Sequence, residues 1–312
     1  MENGINVLSL FDGMSCGQIA LERAGIKINK YYASEIKKHA IKCTLDNYPN
    51  TIHIGDVTKV FYHDGVLFTE SGQHNVEKID LLIGGSPCQD FSVLNMLPQC
   101  KNKEVLGLNG EKSKLFYEYL RLKNEINPEF FILENVKMKK ENEKELSDYM
   151  KTIGFHINSN LVSFQNRPRI YWTNIPNIDM PKDKNIDFQD YKDSDFDYCS
   201  IFKLNKTPSR IRMWNNGEGG TDIKSCKNIT YSNKIGCLTR KQDRCPNSGL
   251  IEFDGFARYL TTREQELAQT VPIGYTKSMT KNQSEDLLGD GWTIDIIAHF
   301  LKKLPQEWKI EI

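Results

Sequence analysis

The residues best able to do chemistry in this chain sit where an apolar run stops. Leu81-Leu82-Ile83 follows Asp80 and breaks into Gly84-Gly85-Ser86-Pro87, and the next residue is Cys88. The pattern predicts a short buried strand that ends in a sharp turn. In doubly wound sheets such strand ends carry the ligand and the reacting groups. Proline fixes the local backbone, and the glycines let a ligand approach the main chain. A thiol displayed there is a nucleophile, because a thiolate attacks even when only partly formed. The other reading is a cysteine packed as a small hydrophobe. This stretch alone leaves both open.

Carboxylates recur at other strand ends. Residues 5–11 read as an apolar strand, followed by the turn Asp12-Gly13-Met14-Ser15-Cys16-Gly17 and a helix over 18–24 that Gly25 stops. A glycine-bearing turn between strand and helix cradles a nucleotide-like ligand, although the full Gly-x-Gly-x-x-Gly pattern is not present. Glu35 closes a second strand (31–34), Asp56 a third (53–57) and Glu134 a fifth (129–134). An acid after the second strand suits a ribose diol, and one after the third suits an adenine amino group. The alternative for Glu35 and Asp56 is a helix N-cap, which the preceding turn makes the lesser reading. Helical patterns lie near 37–45, 113–126 and 140–153, with extended stretches near 155–164 and 169–174. Strands alternating with helices predict an α/β fold, a mostly parallel sheet with helices on both faces.

Past residue 174 the periodicity dissolves into a stretch rich in Asn, Asp, Lys and Gly, and 175–256 reads as a small irregular domain. Order returns at Arg258, with helices near 263–270 and 292–303; Ile296, Ile297, Phe300, Leu301 and Leu304 stripe the last one. The net charge of zero hides a basic block: residues 199–245 hold ten Lys or Arg against three acids, whereas 179–197 hold seven Asp against three Lys. Such a block suits a polyanion, and the mixture of Arg210, Arg212 and Arg240 with Trp214 and Tyr231 favours nucleic acid. Hydrophobic content of 39% and charged content of 26% are ordinary for a globular protein. No apolar run approaches the ~20 residues of a membrane span, and Met1-Glu2-Asn3-Gly4 lacks signal-peptide character. The eight cysteines form no Cys-x-x-Cys pair, which favours a reduced, cytoplasmic chain without structural zinc.

Taken in order, Phe11-Asp12-Gly13, Glu35, Gly55-Asp56, Gly85-Ser86-Pro87-Cys88-Gln89, Glu134-Asn135-Val136 and Gln165-Asn166-Arg167-Pro168-Arg169 resemble the motifs of the DNA cytosine-5 methyltransferases. Arg258-Tyr259-Leu260-Thr261-Thr262-Arg263-Glu264 with Pro272 looks like a late motif of that family. Leu287 to Thr293 looks like its final one, in the form found in animal de novo methyltransferases. Only 175–256 stays uncovered. The resemblance implies a Rossmann-like S-adenosylmethionine-dependent methyltransferase fold. Residues 1–174 would be the catalytic and cofactor-binding domain, 175–256 the target recognition domain, and 257–312 the part completing the catalytic domain.

The same resemblance implies the chemistry. Cys88 would add to carbon 6 of a cytosine flipped out of double-stranded DNA. Glu134, its pKa raised by burial, would hold ring nitrogen 3 and the amine. Arg169 would meet the carbonyl oxygen, and Arg167 would keep Cys88 and the ring in register. Phe11, Asp12, Gly13, Ser15, Glu35, Ile36, Asp56, Val57, Ser86 and Trp292 would bind S-adenosylmethionine, leaving S-adenosylhomocysteine as product. Gln89, Ser92, Lys101 and Lys103, on a loop over 90–110 expected to close on the base, would contact DNA with Arg210, Arg212, Arg240 and Lys241. Some positions depart from the family. Ser15-Cys16-Gly17 stands where a glycine pair is common, Asp290 lies where an acid would repel the methionine carboxylate unless turned away, and Thr270 replaces a glycine without expected harm. The length resembles compact bacterial or phage enzymes, monomers working alone or beside a restriction endonuclease. Methylation of structured RNA and a catalytically silent DNA-binding relative are the alternatives.

Overall fold

The computed structural model describes residues 4–86, 114–205, 207–208, 228–242 and 246–310. Cys88, Gln89, Ser92, Lys101, Lys103, Arg210 and Arg212, and the expected closing loop over 90–110, lie outside the described residues. The chain divides into two compact units. One comprises Met1–Ile157, Pro168–Met180 and Ile297–Ile312, and the other Asn158–Arg167 and Pro181–Ile296. These units follow different lines from the motif-based division at 174 and 256.

The first unit is built on a seven-stranded sheet in the order β3-β2-β1-β7-β8-β10-β9. Its strands are β1 (Ile5–Leu10), β2 (Ile28–Ser34), β3 (Ile52–His53), β7 (Leu81–Gly85), β8 (Phe130–Val136), β9 (Phe155–Asn158) and β10 (Pro168–Thr173). β3, β2, β1, β7 and β8 run parallel, and β10 is antiparallel to β8. The direction of build-up reverses between β1 and β7. Ligands of open α/β sheets settle outside the carboxyl ends of the strands at such a point.

Side-chain alternation separates the faces. Leu8, Leu10, Tyr32, Leu82 and Leu133 share a core with Phe116, Tyr119 and Leu122 of α3 (Lys114–Ile126) and Leu146 and Met150 of α4 (Lys140–Met150). On the opposite face, Tyr171 meets Phe300 of the last helix with ring centroids 5.0 Å apart. Gly17 of α1 (Cys16–Ala24) lies there against Ile83 and Tyr31, where a Cβ would come within 2.4 Å and 2.6 Å of their side chains. Helices therefore cover both faces, as the alternating pattern required.

One expectation is corrected, and two sets of strands add to the outline. The stretch near 155–164 is extended only to Asn158, then turns through a 3-10 segment, Ser159–Leu161, whose start Asn158 caps by accepting from Asn160 N at 3.2 Å. The region after β3 is not plain connection: β4 (Phe61–His63), β5 (Val66–Thr69) and β6 (Gly72–Asn75) form an antiparallel meander. Asp64 and Gly65 both take positive φ, 45° and 77°, the conformation that a two-residue hairpin turn demands. In the second unit, β11 (Ile251–Phe253) and β12 (Phe256–Arg258) repeat the device with Asp254 and Gly255.

That second unit has its own apolar core, with Phe164, Phe188, Ile229, Ile235, Leu238 and Ile251 among its members. A short α5 (Phe196–Ser200) precedes α6 (Thr262–Ala268) and α7 (Lys281–Asp290). The sequence reading passed over α7, although Thr280 and Gln283 close a capping box at its start. The last helix, α8, spans Ile294–Leu301. Thr270 takes φ 54°, a costly conformation for a β-branched residue. Its hydroxyl accepts from Asp295 N at 3.0 Å in the first turn of α8, which offsets the strain. No helix among the described residues is long and apolar enough to cross a membrane.

Candidate active site

Within the first unit the strand ends converge on an acid–guanidinium pair. Antiparallel pairing sets Glu134 of β8 against Tyr171 and Arg169 of β10 against Val136, so Glu134 and Arg169 are diagonal neighbours on one face. Arg169 Nε lies 2.7 Å from Glu134 Oε1, with the two side chains 12% and 11% exposed. Nη1 of Arg169 also donates to the Pro168 carbonyl at 2.9 Å. The carboxylate therefore faces a guanidinium.

Beside it, Gly85 of β7 pairs with Glu134, and the chain leaves the strand at Ser86 toward Cys88. Ser86 is buried and held: Asn135 Nδ2 donates to its Oγ at 3.0 Å and contacts its carbonyl at 3.4 Å. Asn135 follows Glu134 in the Glu134-Asn135-Val136 motif. Its signal was the position beside Glu134, where alternation turns it to the face opposite the acid's. Gly84 has a packing reason: a Cβ there would come within 3.0 Å of the Tyr119 ring and the Leu10 carbonyl.

The turn after β1 is left-handed at Phe11, Gly13 and Ser15. Asp12 faces inward, accepting from Ser15 Oγ and Tyr31 Oη, both at 2.7 Å. Burial raises its pKa to about 6 against those hydrogen bonds, and the nearby Glu35 charge adds to the rise. Tyr31 is raised well above its ordinary range by burial and by Asp12's charge. Asp12 and Ser15 thus shape the turn from within, and only their main chain is left to meet a ligand. Space at Gly13 is open, with no atom of the described residues within 4 Å of a would-be Cβ.

Glu35 accepts from Gly13 N at 2.9 Å through Oε2, and from Ile36 N and Lys37 N through Oε1. Ile36 is 69% exposed beside it. Asp56 does serve as an N-cap, the role the sequence reading ranked lower. Its Oδ1 takes both the Thr58 N–H and the Thr58 hydroxyl at 2.9 Å. Val57, expected at the cofactor, is turned into the sheet's core. Open space at Gly13, acids after β2 and β3, and an exposed aliphatic side chain fit an adenosyl group with its ribose.

Other expected residues fall in the second unit. Trp292 is buried there. Arg167 is buried with its guanidinium on main-chain acceptors: Nη1 donates to the Leu238 carbonyl at 2.9 Å and Nη2 to the Gly291 carbonyl at 2.8 Å. The expected contact with Cys88 lies outside the described residues. Arg240, expected to contact DNA, is paired with acids, through Nε to Asp286 and at 3.7 Å from Asp290. It also shows which way Asp290 is turned. Lys241 is exposed. The late motif has a structural reason: Arg258 and Glu264, fully buried, form a two-point pair at 2.8 and 2.9 Å, and Glu264 also accepts from Thr261 N in the α6 capping box.

The family model for C-5 cytosine-specific DNA methylase matches residues 5–306. This chain belongs to that family. It is 29% identical over 180 residues to the orphan methyltransferase M.SPRI of Bacillus phage SPR, a match over 54% of the chain and 37% of that protein. It is 30% identical over 205 residues to the putative type II methyltransferase M.BsuMIIP of Bacillus subtilis strain 168, covering 54% of the chain and 44% of that protein. The chain thus spans less than half the length of these relatives. Its fold is shared with Entamoeba histolytica methyltransferase EhMeth (TM-score 0.69, 16% identity, 96% of this chain and 97% of that one). The S. pombe Dnmt2 methyltransferase is similar too (TM-score 0.68, 16% identity, 95% and 96% covered).

Proposed function

We propose that this C-5 cytosine methyltransferase acts on double-stranded DNA, with S-adenosylmethionine as methyl donor and Cys88 as the attacking thiol. The observation that carries the reading is the Glu134–Arg169 pair at the ends of β8 and β10, beside the end of β7 that runs on to Cys88. Cytosine is unreactive at carbon 5 until a nucleophile adds at carbon 6. The Cys88 thiolate forms that bond, and electrons move toward carbon 5 and ring nitrogen 3. The Glu134 carboxyl hydrogen-bonds nitrogen 3 and the exocyclic amine, and Arg169 turns toward the carbonyl oxygen.

When bound, S-adenosylmethionine supplies an electrophilic methyl group; the main chain of Phe11 and Gly13 with Glu35, Ile36 and Asp56 would hold it. Once carbon 5 carries the methyl group, loss of its proton with expulsion of the Cys88 sulfur restores the aromatic ring. The target base must leave the duplex first, at a cost of roughly a few kcal/mol that contacts in the site offset.

A duplex carrying 5-fluorocytosine at the target position tests this, because fluorine blocks the final elimination. Wild type with the methyl donor forms a denaturation-resistant adduct, and Cys88→Ser forms none. Equal methyl transfer by both proteins would overturn the reading. Matched RNA in the same assay separates the substrates: faster product from RNA would move the assignment to that polymer.

A further inference from the structure

Arg167 has spent its hydrogen bonds on one short stretch of chain and one helix end. Nη1 donates to the Leu238 carbonyl at 2.9 Å and approaches Cys237 Sγ at 3.3 Å. Nη2 donates to the carbonyls of Gly291 at 2.8 Å and Gly289 at 3.2 Å. Those last two belong to the C-terminal end of α7, where carbonyls lack helical partners and a cation is favoured. Arg167 therefore ties residues 237–238 to the end of α7.

The same stretch is held from two further sides. Ile235 N donates to the Phe164 carbonyl and Asn166 N to the Ile235 carbonyl, both at 2.9 Å, and Gln165 Oε1 accepts from Leu238 N at 2.8 Å. At Gly289 the chain of Thr239 and Arg240 presses directly on α7, since a Cβ there would sit 2.6 Å from their backbone atoms. Arg240 fixes the contact by pairing with Asp286 of α7. Immediately beyond, Lys241 is exposed and held at φ 58°, a conformation that persists only where the surroundings impose it.

We propose that Arg167 is a positioning residue for target recognition: it fixes residues 237–240 on α7 so that Lys241 and its neighbours meet the DNA from a rigid base. This rests on the reading of the chain as a DNA methyltransferase, and it separates Arg167 from the bond-making step assigned to Cys88, Glu134 and Arg169. The split matters because a residue that acts through a recognition segment changes substrate binding, whereas one at the reacting ring changes turnover.

The test uses the full chain and two variants. Arg167→Lys keeps the charge and loses the planar fork. It is expected to raise KM for the target duplex about tenfold and to flatten preference among near-target sequences, with kcat within about threefold. Asp286→Asn touches the same seat from its exposed side. Charge alone predicts that removing an acid tightens binding to a polyanion; loss of the seat predicts a KM raised in the same sense as Arg167→Lys, by less. A large fall in kcat at unchanged KM in Arg167→Lys, or tighter binding by Asp286→Asn, overturns the proposal. If Arg167→Lys loses cooperative unfolding, Asp286→Asn alone decides. The parent reading fails separately, by absence of a wild-type adduct with the fluorinated duplex.

Discussion

Arg167 and Arg169 stand two positions apart in one motif, yet they belong to different compact units and meet different chemistry. Arg169 sets Nε on a carboxylate at the end of the sheet, and both side chains keep some access to solvent. Arg167 is buried and sets its guanidinium on carbonyls of its own unit. A carboxylate–guanidinium pair can open to admit a ring that satisfies both partners. A guanidinium that completes a helix end cannot leave without orphaning buried acceptors, each costing about 1–3 kcal/mol. The difference separates residues that can exchange partners during turnover from residues that hold a surface still.

The largest effect should come from breaking the first region. Glu134→Gln removes the carboxyl proposed to hold nitrogen 3, and kcat is expected to fall about 10³-fold. Arg169→Gln should follow it with KM for DNA little changed, read in single-turnover methylation. If Arg169→Gln raised KM and spared kcat, the contrast between the two arginines would collapse.

Stability comes next. Arg258→Met strands Glu264 in a fully buried setting, and should lower unfolding free energy by roughly 3–5 kcal/mol. Adding Glu264→Leu should restore much of the loss, since two apolar groups replace an unpaired charge. Urea unfolding with m-values checks both; a double variant no better than the single would show that the capping-box bonds of Glu264 outweigh the pairing.

Asp12 gives a pH signature confined to the first unit. Its folded pKa, about 6, lies above the ordinary carboxylate value of 3.8. The folded state therefore holds the proton more tightly than the unfolded chain. Its contribution to stability is complete below pH ~4 and declines through pH ~6, by about 3 kcal/mol in total. Asp12→Asn cannot titrate, so its stability relative to wild type should climb across that window. A flat difference between the two proteins from pH 4 to 7 would refute the raised pKa.

How much of this was legible in the sequence follows from local chemistry. Glu134, Glu35 and the turn after β1 were readable because strand ends are marked by apolar runs that stop at an acid or a glycine. The meander at 61–75 and the β11–β12 hairpin were missed although Asp64-Gly65 and Asp254-Gly255 are strong turn signals, because their strands are short and irregular in polarity. Helix α7 was hidden by its polar composition, with only Thr280 and Gln283 marking its start. The employment of Arg167 could not be read at all. Its acceptors at 238, 289 and 291 are backbone carbonyls, which carry no sequence signature.

The smallest effect bears on how the first region holds the end of β7. Asn135 donates to Ser86 and uses its own Oδ1 to accept from Val136 N at 2.8 Å, so its amide orientation is fixed from both ends. Asn135→Ala leaves the buried Ser86 hydroxyl without that donor at the end of β7. The expected cost is about 1–2 kcal/mol, divided between stability and the alignment of the sulfur. Adduct formation with the fluorinated duplex should then slow by about tenfold. Asn135→Asp keeps an acceptor and loses the donor, so it should slow the adduct to a similar extent. If Asn135→Asp matched wild type instead, the donated hydrogen bond would not be what holds Ser86.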